Sequence, residues 1–186
     1  MKKGFEIVVM CVGAAVLYGI LHDQITARIC LEYFTIGHPR IFPTSDPTLL
    51  AFGWGFTATW WVGCLLGVPL ALACRMGSWP KREPSWLVWP LVRVMSISFV
   101  VAAIAGVVGW IAASQGWVFL MGTLAYEVPK EKHIPFLVDL WIHNASYLSG
   151  FVGGIVLMVV VLRDRKREHR ENTTQVAPTT SPHQSK

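Results

Sequence analysis

Charge is what this sequence has least of. Only 15% of its 186 residues are Asp, Glu, Lys or Arg, where a soluble domain carries about 25%, and 53% are hydrophobic. That balance excludes a disordered chain and a soluble enzyme. Cysteine is also scarce: Cys11, Cys30, Cys64 and Cys74 form no CxxC pair and no Cys/His finger. Three of them fall in apolar runs, where a thiol packs as a small hydrophobe, and Cys30 has no partner on its side. A secreted disulfide scaffold is therefore excluded. No GxxxxGK, GxSxG or HExxH string occurs, so ATP use and the familiar hydrolase sites have no support. No internal repeat is visible either.

Long apolar runs are what the chain has instead. Four stretches, at about 4–21, 49–74, 87–113 and 136–162, are long enough as helices to cross a bilayer core of about 30 Å. Inside lipid every backbone polar group must be satisfied within the chain, which favours helices over open strands. The short alternating segments of an outer-membrane barrel are absent. The expected fold is an all-α integral membrane protein, a four-transmembrane-helix bundle.

Basic residues orient it. With both termini cytoplasmic, Lys2, Lys3, Arg75, Lys81, Arg82, Arg93 and six tail residues share one side. Only Arg28, Arg40, Lys130 and Lys132 lie on the other. The net charge of +5 thus reflects topology and gives no case for nucleic acid. Lys2-Lys3 before an apolar run also suits a signal peptide. Glu6 inside that run and the lack of a small-x-small cleavage site favour an uncleaved helix. A plain positive-inside layout without eukaryotic sorting signals places the chain in a bacterial inner membrane.

Residues 1–162 are then one transmembrane domain. Residues 163–186, RDRKREHRENTTQVAPTTSPHQSK, form a basic cytoplasmic tail whose composition predicts disorder and permits contact with anionic lipid. The outer segment 22–48 lacks Gly and Pro in its first half, so the first helix is expected to continue to about Tyr33. Gly37, Pro39, Pro43 and Pro47 then force an irregular, ordered return. Small-residue pairs, Gly63/Gly67, Gly106/Gly109 and Gly150/Gly154, mark close helix contacts. Packing within the chain is the simpler use; a homo-oligomer or a larger membrane complex is the other.

Ionisable residues within a span are costly, by about 2.5–3.5 kcal/mol each on insertion scales. Arg93 and Glu6 lie near helix ends and can reach water. The fourth run differs: Asp139, His143 and Tyr147 follow at i, i+4 and i+8, one stripe of a helix. A carboxylate four residues before a His can orient the imidazole, or both can bind one metal. Topology sets His22 and Asp23 at the same height, with Glu32, Tyr33 and His38 in the loop beyond. His22, Asp23, Glu32, His38, Asp139 and His143 are thus the candidate site, supported by Tyr33, Asn144 and Tyr147.

Imidazole and carboxylate suit a divalent transition metal, assembled from several helices. The plain alternative is a polar cap in which Asp23 pairs with Arg28, Asp139 with His143, and Asn144 satisfies loop backbone. Trp54, Trp60 and Trp61 offer a weaker candidate, an aromatic pocket for a lipid or quinone. The leading functional expectation is a multi-pass inner-membrane protein with a His/carboxylate polar site at its extracytoplasmic face, for which metal binding is one use and metal-free acid–base or ligand chemistry another. Metal-assisted hydrolysis or redox chemistry would be its natural class if it is catalytic. A small transporter or channel subunit using Asp139 and His143, and a non-catalytic scaffold subunit, are the alternatives.

Overall fold

The computed structural model describes residues 2–176. In chain order they form α1 (Lys2–Ile29), α2 (Leu31–Thr35), α3 (Pro47–Thr57), α4 (Trp60–Arg75), α5 (Pro84–Ser114), α6 (Thr123–Glu127) and α7 (His133–Val176). A single 3₁₀ turn, Lys130–Lys132, leads into α7, and no strand occurs among the described residues. Four helical stretches are long and apolar enough to cross a membrane: α1, α3 with α4, α5 and α7.

Local chemistry sets the helix ends. Cys30 is extended and breaks α1 from α2. Asp46 caps α3, its carboxylate accepting from Leu49 N at 2.9 Å, with Pro47 in the first turn. α5 closes on Gly116 at positive φ, with Trp117 N donating to Ala112 O and Gly116 N to Ala113 O. Pro69 and Pro90 sit inside α4 and α5.

The bundle is two tight pairs brought together. α5 packs along α7, α1 packs along α3 and α4, and contacts of α7 with α4 and of α1 with α5 and α7 join the pairs. Glycine permits the close approach. A Cβ on Gly63 would lie 2.6 Å from Val12 Cα, and one on Gly106 would lie 2.8 Å from Ile142. Gly154 meets Leu66, so these small residues are used inside the chain. Large apolar side chains such as Leu17, Leu21, Leu65, Phe99, Ile104 and Leu148 face outward. Water would not leave that surface bare; lipid would.

Two apolar clusters hold the ends. At the loop end Cys30, Phe34, Leu50, Trp54, Phe136 and Leu137 pack together. At the basic end Ile7, Leu70, Cys74, Leu87, Leu157 and Val161 do so. Between them lies a cavity of about 150 Å³.

The first helix ends at Ile29 rather than continuing to about Tyr33, and the start of the tail is not irregular. Residues 163–176 are helical, because α7 continues past the apolar run to Val176. Charge pairs sustain it: Asp164 and Glu168 each reach Arg82 at 2.6 Å, and Arg167 pairs with Asp164 and Glu171. The rest of the expected disordered tail, 177–186, lies outside the described residues.

Candidate functional site

About twenty helical residues span a bilayer core. Counted from Lys3 on α1 and from Arg163 on α7, that distance reaches Asp23 and His143. Their helices bring them together. His22, Asp23 and His143 each offer a ligand atom, and these atoms lie within 4.8 Å of one another. All three side chains are buried, at 5%, 5% and 6% exposure.

Asp23 is the hub. Its Oδ1 lies 3.0 Å from His22 Nδ1 and 3.4 Å from His143 Nε2. The two rings meet edge to face with centroids 4.6 Å apart, and Tyr33 stacks on the His143 ring at 4.4 Å. His143 Nδ1 lies 2.8 Å from the Asp139 carbonyl oxygen. A carbonyl only accepts, so Nδ1 carries a hydrogen and donates it. Nε2 then presents its lone pair to a carboxylate oxygen unless a cation, a proton or a metal ion, stands between them. His22 uses Nδ1 toward Asp23, and its Nε2 has no hydrogen-bond partner among the described residues.

Glu32 and His38 stand apart from these three ligand atoms. Glu32 faces Lys132 at 3.6 Å and accepts from the Cys30 thiol at 3.5 Å. His38 lies against Trp54 and bonds the Tyr33 carbonyl at 2.8 Å. Burial holds the His38 imidazole below the ordinary histidine value. Asp139 is 0% exposed, yet it holds His143 by its backbone oxygen and not by its carboxylate. Neither carboxylate oxygen has a hydrogen-bond partner among the described residues. The i, i+4 spacing aligns the earlier residue's carbonyl, and not its carboxylate, with the later side chain.

The expected polar cap also differs in detail. Arg28 bonds Gln24 and Thr48 rather than Asp23, and Asn144 is exposed. Tyr147 lines the cavity while remaining 45% exposed. The tryptophans build no shared pocket: Trp54 is buried against Phe42, and Trp60 and Trp61 face outward. Burial pushes the Cys30 thiol up to about 12, with Glu32 and Asp139 acting in the same sense, so it is no nucleophile near neutral pH.

Three polar residues below the group were missed. Tyr18 stacks on His22 at 5.7 Å and its hydroxyl meets Ser146 Oγ at 2.8 Å. Ser98, 3% exposed, has an Oγ with no partner among the described residues. Tyr18 precedes His22 by four, the same interval that singled out Asp139 and His143. Ser98 carried no such signal.

Comparison with protein-family models, curated proteins and solved structures finds no match for this chain. What the site can do chemically therefore follows from its own geometry. Metal–ligand bonds of about 2.1 Å at tetrahedral angles set neighbouring ligand atoms about 3.4 Å apart. About Asp23 Oδ1 the separation to His143 Nε2, 3.4 Å, has that spacing and that to His22 Nδ1, 3.0 Å, is shorter, with all three ligand atoms within 4.8 Å of one another. A histidine that donates its second ring nitrogen to a carbonyl has the orientation metal-binding imidazoles adopt. His22 Nδ1, Asp23 Oδ1 and His143 Nε2 are thus the three atoms that could hold an ion.

Proposed function

We propose that this chain is a multi-pass inner-membrane protein that binds one divalent transition metal near its extracytoplasmic face. The ligands are His22, Asp23 and His143, and both termini are cytoplasmic. One observation carries the reading: a buried imidazole whose Nδ1 is fixed by a carbonyl turns Nε2 toward a carboxylate shared with a second imidazole. Two nitrogens and one oxygen suit zinc or ferrous iron, and three protein ligands leave a position for water or substrate. Conduction by a single chain is disfavoured by the apolar cluster of Ile7, Leu70, Leu87 and Val161 at the basic end.

The test is metal content of the detergent-purified protein by mass spectrometry. About one ion per chain is expected in the wild type, little in His22→Ala or His143→Ala, and an unchanged amount in His38→Ala. Saturating metal at a hundredfold excess over Kd would also raise stability by about 2.7 kcal/mol. Metal retained in folded His143→Ala would overturn the assignment.

A further inference from the structure

The cavity beneath the three-residue group has a chemistry of its own. Its volume, about 150 Å³, is that in which an apolar protein cavity holds one benzene-sized molecule. Ala14, Ala15, Val62, Leu66, Val94 and Met95 supply much of its wall. Such walls do not hold a chain of waters, because each water needs several polar partners.

Yet two residues that line it, His22 and Ser98, each carry a buried polar atom, Nε2 and Oγ, with no partner among the described residues. Buried polar groups are rarely left unmet, since each costs about 1–3 kcal/mol. The two sit at different depths. His22 touches the His143 ring, whereas Ser98 Oγ faces Gly150, seven residues further along α7, about 10 Å along the axis. A six-membered ring with oxygens on opposite carbons and one hydrogen bond at each end has about this reach. Tyr147 and Phe151 both line the cavity and face outward, so it opens sideways toward the surrounding lipid.

We infer that this cavity binds a lipid-soluble ring bearing an oxygen at each end, the quinone or quinol class. The head lies between His22 Nε2 and Ser98 Oγ, and its tail leaves past Tyr147 and Phe151. When His22 donates its Nδ1 hydrogen to Asp23, Nε2 accepts from a quinol hydroxyl; when Nδ1 binds metal, Nε2 carries the hydrogen and donates to a quinone carbonyl. Quinol binding does not depend on the metal, and titration with EDTA present separates the two readings.

The experiment titrates the detergent-purified full chain with a decyl-tailed 1,4-benzoquinone, its quinol and decylbenzene, following binding by calorimetry and thermal unfolding. With EDTA present the quinol should bind one to one and more tightly than the quinone, and decylbenzene at least tenfold more weakly than the quinol. Ser98→Ala should weaken binding about fivefold, the worth of one hydrogen bond. Ala15→Leu, which fills the cavity, should abolish it in a protein that still unfolds cooperatively. Equal affinity for decylbenzene, binding unchanged in either variant, or no binding to the folded wild type would each overturn the inference. Should Ala15→Leu fail to fold, Ser98→Ala decides alone.

Discussion

The guanidinium of Arg165 donates to the backbone carbonyls of Ala73, Met76, Trp79 and Pro80, closing the end of α4 and the turn that follows. It is 1% exposed. Carbonyls at a helix C-terminus lack partners within the helix, and a planar cation with five donors meets several at once. Arg165→Met should lower stability by about 1–3 kcal/mol, because it removes every one of those donors together. Arg165→Lys should fall between, since an ammonium offers fewer, undirected donors. Thermal unfolding in detergent reads both, and a wild-type midpoint for Arg165→Met would refute this role. In the sequence Arg165 is one of six basic residues after the last apolar run, and nothing there separates it from solvated neighbours. His22, Asp23 and His143 were legible for the opposite reason: an ionisable group beside an apolar run is conspicuous. Glu32 and His38 were legible as chemistry but not as position: Glu32 turns to Lys132, and His38 to Trp54 and the Tyr33 carbonyl.

Among the elements, the pairing of α1 with α4 rests on backbone proximity rather than on large side chains. Val12 Cα would lie 2.6 Å from a Cβ on Gly63, and Cys11 O 3.0 Å from it. Backbone cannot rotate aside, so Gly63→Ala must push the two helices apart, at a cost of about 1–3 kcal/mol. Gly13, one residue beyond Val12, has nothing within 4 Å of its notional Cβ. Gly13→Ala should therefore leave stability unchanged or slightly raised, since alanine favours helix over glycine by about 1 kcal/mol. Resistance to SDS unfolding compares the pair, and equal losses in both would show that helix propensity, not contact, governs. The apolar runs made all four spans legible, and the Gly63/Gly67 interval marked a close face. Which helix meets that face was not legible, because small-xxx-small spacing specifies approach and no partner. The length of α7 was misjudged because composition weighs charge as solvation, whereas here charges pair along and between helices.

At the scale of the molecule, its two ends differ in charge and in construction. Lys3 and Arg75 meet Glu83, and Arg82 meets Asp164 and Glu168, so the start of α1, the α4–α5 turn and the far part of α7 converge at one end. At the other, Lys132 meets Glu32 above the His22–Asp23–His143 group. Lys/Arg bias in short loops sets the orientation of multi-pass proteins, which would place the first end in the cytoplasm and the candidate site outside. Lys81 and Lys130 are exposed at opposite ends, which makes them suitable reporters. In a chain whose four cysteines are replaced by alanine, Lys130→Cys should react with a membrane-impermeant maleimide in intact spheroplasts. Lys81→Cys should react only after permeabilisation. The reverse pattern would turn the site toward the cytoplasm, while labelling of both in intact spheroplasts would mean that the charge bias does not fix one orientation.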